Sequence, residues 1–241
     1  MIASKSMGTG HNEAAVAVER LSKVFQDGDV RVQALKEITL AIAPASFASI
    51  CGPSGSGKTT LLNLIGGLDQ PTTGSIRISG RAIEGLGQRE LAEMRLRHVG
   101  FIFQAYNLIP VLSALENVAF VMELQGVGLR ERVERAQAML RDVGLEGMAK
   151  RRPGELSGGQ QQRVAVARAI VSEPDIVLAD EPTANLDSRT AESLLELMQR
   201  MNEERQVTFI FSTHDDLVMR YARRLIRLHD GEVETDEEKG S

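Results

Sequence analysis

The 241-residue sequence predicts an α/β fold: a mainly parallel central sheet, an N-terminal antiparallel β layer and an inserted helical subdomain. Three observations carry this. Short apolar, β-rich runs alternate with amphipathic helical runs, a glycine-rich stretch sits between a strand and a helix, and residues 89–171 read mostly helical.

Taken in order, residues 1–15 are rich in Gly, Ser and Thr and are expected to be a mobile N-terminus. Residues 16–234 are expected to form one compact unit, since no internal repeat or low-complexity linker interrupts them. Val16 to Leu21 and Val30 to Ile42 read as strands of an antiparallel layer, and Phe47 to Cys51, Val99 to Phe103, Ile176 to Ala179 and Thr208 to Phe211 read as buried strands. The helical subdomain is expected at about 89–171. Within it Leu129, Val133, Ala136, Leu140 and Val143 fall on one helical face, and Ser113 with Glu116 has capping-box spacing. Ala191, Leu194, Leu195, Met198 and Met201 give the segment from Ser188 to Glu204 the same amphipathic form. The acidic end from Glu232, and residues 235–241 in particular, is expected to be mobile.

Composition excludes several classes of function. A formal charge of −5 and a pI near 5.5 lack the basic excess of nucleic-acid binding, so no nucleic-acid partner is expected. The single cysteine, Cys51, has no partner for a disulfide or a cysteine-ligated zinc, and reads as a small buried side chain. His11, His98, His214 and His229 lack metal-ligand spacing. No apolar run reaches the roughly 18 residues of a membrane span, and the opening MIASKSMGTGHNE has no apolar secretory stretch, so a cytoplasmic location is expected.

The glycine-rich stretch is GPSGSGKT, with FASIC before it and TLLNLIGGL after it. Gly52, Gly55 and Gly57 let the backbone curl so that the N–H groups of this loop, which also carries Pro53, Ser54 and Ser56, point at phosphate oxygens. Lys58 supplies a mobile cation to the terminal phosphates, Thr59 a hydroxyl for Mg²⁺, and Thr60 follows on the helix that adds its positive end. This strand–loop–helix unit fits the phosphate-binding pattern of P-loop nucleoside triphosphatases, and ATP with Mg²⁺ is its expected load. IVLADE then offers Asp180 at a strand end as a hard-oxygen metal ligand, and Glu181 beside it as a general base or water orienter.

LSGGQQQRVAVARA, from Leu156 to Ala169, resembles the signature of ABC-type ATPases, and further elements in the family's order cover about residues 16–234. The resemblance implies a nucleotide contact for Ser157, Gly158, Gly159 and Gln160, an adenine-stacking role for Phe25, and a metal- and water-sensing role for Gln104. It implies that Asn185, Leu186 and Asp187 communicate between two ATP sites, Asp187 touching nucleotide, and that His214 contacts the γ-phosphate. AYNLIPVLSALENV, IGGLDQPTTG and DEPTANLD are similar to the subgroup serving lipoprotein release, macrolide export and the FtsE/FtsX system. Phe25 replaces a common tyrosine, and Ala45-Ser46 a frequent Gly-Glu turn.

The resemblance further implies that two copies pack head to tail, each completing the other's ATP site. It also implies an integral membrane permease docked near Gln104–Asn117, with the chain peripheral on the inner face of the cytoplasmic membrane. Within that stretch Tyr106, Leu108 and Leu115 read either as groove lining or as core. An ATPase driving export or extraction is the expected function. The alternatives are an FtsE-like ATPase that signals through its membrane partner without transport, and a soluble ATPase acting on DNA or ribosomes, which would bring a second cassette or a long coiled coil not seen in the sequence.

Overall fold

The computed structural model describes residues 14–28 and 30–239; the expectation for residues 1–13 lies outside them. The chain opens with β1 (Val16–Asp27) and β2 (Val30–Ile42), which pair antiparallel and, with β4 (Thr73–Ile78) and β5 (Arg81–Ala82), form a four-stranded sheet in the order β2-β1-β4-β5. Between them come β3 (Phe47–Cys51) and α1 (Lys58–Ile65). α2 (Gln88–His98) leads into β6 (Val99–Ile102), followed by α3 (Ala114–Leu124), α4 (Leu129–Asp142) and α5 (Gly158–Ile170). The last third runs β7 (Ile176–Asp180), α6 (Ser188–Arg205), β8 (Thr208–Thr213), α7 (Asp216–Tyr221), β9 (Arg224–His229) and β10 (Glu232–Glu238).

The larger sheet has six strands in the order β10-β9-β3-β8-β7-β6, parallel except for the β10 edge. Its central strands β3, β7 and β8 are buried at every position but Asp180, because helices or the second sheet cover both faces. Phe47, Val177, Ala179, Phe209 and Phe211 point to a core shared with α3 to α6, where the three phenylalanine rings pack at centroid separations of 4.7–6.0 Å. Ala48, Ile50, Ile176, Leu178, Ile210 and Ile226 point to the opposite core, closed by α1, α2 and the antiparallel sheet. Period-two alternation thus feeds two cores from one sheet.

Several expectations need adjusting. Residues 232–238 are not a loose tail: β10 pairs with β9, and Arg224 holds Asp236 through two hydrogen bonds of 2.6 and 2.7 Å. Ala15 is also fixed, with its N–H bonded to Ile42 and its side chain buried. Within 89–171, β6 belongs to the large sheet, and Leu91 and Met94 of α2 join the core under the antiparallel sheet. The helices that pack on one another there are α3, α4 and α5. Leu129, expected on the inner face of α4, is 66% exposed because it opens the helix before that face meets the core; Val133 is half-buried. The capping box of Ser113 and Glu116 is present on α3.

The Ala45 departure has a local solution. Ala45 stands in the left-handed region at φ 58°, where glycine costs least, and its N–H and carbonyl are held by Thr208 and Asn202.

One close approach fixes the distance from α5 to the sheet. A Cβ at Gly100 of β6 would stand 2.3 Å from the Ala169 carbonyl oxygen of α5. Gly100→Ala is therefore expected to destabilise the fold by about 2 kcal/mol, read as a lower denaturant midpoint at unchanged slope.

Candidate functional site

Strands β3, β7 and β8 end at the same edge of the sheet, and the loops that leave them border a cleft of about 710 Å³. Pro53, Ser54, Gly55, Gly57, Lys58, Thr59 and Thr60 line one wall, with Gln104, Glu181 and His214 opposite, and Val32 and Ala34 of β2 close a third side.

The loop's glycines are required sterically. Gly52 has φ 147°, and a Cβ there would lie 2.1 Å from the Leu228 carbonyl oxygen; Gly57 has φ 100° and a Cβ would meet the Ala34 carbonyl at 2.7 Å. Only glycine lets this loop pass so close to β2 and β9. Lys58 opens α1 and is largely buried, its Nζ donating to the Gly52 and Pro53 carbonyls at 2.9 Å each. Its charge is therefore poised at the centre of the loop. The Ser56 hydroxyl beside it is buried without a hydrogen-bond partner.

Next to the loop, Thr59 Oγ1 donates to Asp180 Oδ1 at 3.2 Å. No cluster of three acidic, histidine or cysteine side chains capable of holding a metal occurs among the described residues. A hydroxyl and a carboxylate in contact instead fit Mg²⁺, which takes few protein oxygens and completes its shell with water and phosphate.

Glu181 follows in the left-handed region, at φ 45°, with its N–H bonded to the Ser212 carbonyl. Backbone strain of this kind is held where neighbours over-determine it. One carboxylate oxygen lies 2.6 Å from His214 Nδ1, and the other accepts from the Thr213 hydroxyl at 3.0 Å. Thr213 also accepts from the Asp215 N–H, and the Asp215 carboxylate accepts from Thr183. The expectation named Glu181 and His214 but not Thr213; its signal was its place between a buried strand and His214. Gln104 borders the cleft, and its carbonyl accepts from Asn185 Nδ2 at 2.9 Å.

Other predicted residues lie elsewhere. Ser157, Gly158, Gly159 and Gln160 do not border the cleft: Ser157 caps α5 by accepting from the Gln160 N–H, and Gln160 reaches back to the Ser157 N–H. Asp187 caps α6, and the Thr190 hydroxyl and N–H that it accepts hold its carboxyl below the usual range. Phe25 is outside the cleft lining, with Lys23 Nζ 4.8 Å from its ring centre; its cross-strand neighbour Val32 lines the cleft instead. Leu108 and Leu115 pack against the helical core. The groove beside them is walled by Phe101, Phe103, Val121 and Leu124. Cys51 is buried, and burial pushes its thiol pKa up.

The phosphate loop with Thr59 and the carboxylate–imidazole contact border one cleft. The ABC transporter family profile matches residues 35–184. The chain belongs to the ABC transporter family. It is 50% identical over 200 residues to the ABC transporter ATP-binding protein YtrE of Bacillus subtilis (strain 168), covering 83% of this chain and 87% of that protein. It is 40% identical over 236 residues to the lipoprotein-releasing system ATP-binding protein LolD of Chromohalobacter salexigens, covering 98% of this chain and all of LolD. The fold matches the dimeric ATP-binding cassette MJ0796, solved in a post-hydrolysis state with ADP and Pi, at a TM-score of 0.86 and 43% identity, over 94% of this chain and 99% of that one. This chain corresponds to the family's ATP-binding subunit, and among the described residues no helix is long and apolar enough to cross a membrane.

Lys58→Ala leaves the backbone cradle but removes the buried cation. It is expected to weaken MgATP binding by roughly 100-fold or more, measured by titration with a fluorescent ATP analogue, while the melting temperature stays near that of the parent.

Proposed function

We propose that the chain hydrolyses ATP, that two copies close over two nucleotides, and that this closure drives a membrane-embedded partner. The observation that carries the reading is Glu181, its two oxygens engaged by His214 and Thr213, facing Lys58 across one cleft. Backbone N–H groups of residues 54–59 and Lys58 bind the β- and γ-phosphates. Thr59, Asp180 and Gln104 hold Mg²⁺, which when bound neutralises charge on the phosphate oxygens. Glu181 orients the attacking water and takes its proton as the water oxygen bonds to the γ-phosphorus and the bond to the β–γ bridging oxygen breaks. His214 steadies Glu181 and donates to the γ-phosphate.

Support for a shared site is that the signature residues do not line the cleft of their own chain. Ser157 and Gly159 of one copy cover the γ-phosphate bound by the other, an isologous arrangement in which neither site is complete alone. The dimeric MJ0796 structures are consistent with it. Phe25, at the rim beside Val32, stacks on the adenine, and Asp187 borders the second nucleotide across the dimer.

For the partner we infer an integral membrane permease. A groove of about 670 Å³ lies between α2, β6, α3 and α5, floored by the stacked rings of Phe101 and Phe103, 5.6 Å apart, and edged by the exposed Leu68 and Leu124. An amphipathic helix of the partner fits such a groove. This keeps the chain at the cytoplasmic face of the membrane, and the partner's identity decides between export or extraction and FtsE-like signalling.

Glu181→Gln keeps the shape of the site but removes the base. It is expected to bind MgATP, hydrolyse it at least about 100-fold more slowly, and sediment as a dimer in MgATP and a monomer in ADP. Adding Ser157→Arg should abolish that dimer. A Glu181→Gln chain that binds ATP yet scatters light as a monomer at high concentration rules out the shared site.

Leu124→Glu places a charge on the groove edge, where the side chain is already exposed. The variant is expected to melt within a few degrees of the parent and to lose most of its capture by membranes of the source cell, scored by the permease band identified by mass. Undiminished capture excludes this groove.

A further inference from the structure

Two consecutive residues after Gln104, Tyr106 and Asn107, stand in the left-handed region at φ 59° and 48°. Neither is a glycine, so the turn needs an outside hold. The hold comes from α5. Arg168 donates through Nη2 to the Tyr106 carbonyl at 3.0 Å and through Nη1 to the Asn107 carbonyl at 2.6 Å. No carboxylate pairs with Arg168 among the described residues, and burial holds its guanidinium below the ordinary arginine range. A half-buried cation supplied only with carbonyls is an expensive way to fill space, whereas a planar fork across two successive carbonyls suits one backbone geometry.

The same turn touches the other end of α5. A Cβ at Gly158 would lie 2.9 Å from the Tyr106 hydroxyl, so the tyrosine ring rests against the signature's first turn. Gly158 and Arg168 are about 15 Å apart along the helix axis. Inside the turn, the Tyr106 N–H bonds to Phe103 and the Gln104 carbonyl is tied to Asn185. Gln104 is therefore placed by a turn that α5 grips.

We propose that Arg168 is a positioning residue: by locking the left-handed pair Tyr106–Asn107 to the signature helix, it sets where Gln104 stands in the nucleotide cleft. This rests on the proposed metal- and water-sensing role of Gln104. Movement of α5 on dimer closure then moves Gln104 directly, without passing through the sheet.

The test uses the purified chain, with kcat, the Mg²⁺ concentration for half-maximal ATPase, the MgATP Kd and thermal melting as readouts. Lysine keeps the charge but cannot span both carbonyls. Arg168→Lys is expected to lower kcat about tenfold and raise the Mg²⁺ requirement severalfold, with Kd for MgATP within about twofold of the parent. Adding Asn107→Gly, which makes the left-handed conformation inexpensive, should restore most of kcat. A loss arising from packing of α5 would not respond to glycine in another segment. The inference is overturned if Arg168→Lys matches the parent, or if its loss persists in the double variant. Should Arg168→Lys melt below the assay temperature, the double variant decides: near-parental kcat upholds the inference, and a dead or unfolded double variant overturns it. Gln104→Ala separates the two levels. If it leaves the Mg²⁺ requirement unchanged, the sensing role falls and the inference with it; if it raises the requirement while Arg168→Lys does not, only the inference falls.

Discussion

Backbone hydrogen bonds across β3, β8 and β7 pair Cys51 with Thr213 and Asp180 with Ser212, so three strands leave the sheet level with one another. The next residues out are Gly52, His214 and Glu181. Everything in the cleft depends on this register. A slip by one residue in any strand would turn its last side chain to the opposite face, and the 2.6 Å contact between Glu181 and His214 would be lost. The register is in turn held by burial on both sheet faces, because a slipped β8 would exchange Phe209 and Phe211 with Ile210 between two cores of different shape. Apolar packing far from the cleft is thus what sets angstrom-scale geometry within it.

Around that rigid edge, the segments that touch the cleft from outside are held by side chains bonding to backbone. Asn185 ties the Gln104 carbonyl, Gln162 of α5 donates to the Pro182 carbonyl at 2.7 Å, and Arg163 links the Val143 carbonyl to Ser193 of α6. These bonds span loops and helices without fixing them into the sheet. The Gln162 Oε1 is buried without a hydrogen-bond partner.

Much of this was legible in the sequence, for a physical reason. The close approach of the loop to β9 and β2 constrains Gly52 and Gly57 so tightly that the residue types themselves record it, and IVLADE advertises a buried strand ending in acids. Val16 to Leu21, Val30 to Ile42, α6 and the central strands likewise followed from periodicity, whereas the continuation of β1 to Asp27 did not. Tertiary pairing was harder to read. The acidic composition of β10 looks like a tail, but it pairs along its length with β9, and Arg224 reaches across to Asp236. Leu129 keeps its heptad place but emerges before the core begins. Thr213 is marked only by standing between a buried strand and His214, and nothing local marks Arg168, whose partners lie 61 and 62 residues away.

The signature glycines show how packing and binding can demand the same residue. A Cβ at Gly159 would come within 2.4 Å of Thr190 Cγ2 on α6, and one at Gly158 would meet the Tyr106 hydroxyl. Glycine is therefore needed at the start of α5 by the single chain, before any nucleotide is considered. Those same two residues occupy the first turn of the helix, where N–H groups have no partner within the helix itself. Ser157 satisfies the Gln160 N–H through its cap, which leaves the donors of Gly158 and Gly159 as the ones free to meet an anion. They do not line the cleft of their own chain. In the shared site proposed above, the anion these donors would meet is the triphosphate held in the phosphate loop of a second copy, in a reciprocal two-fold arrangement.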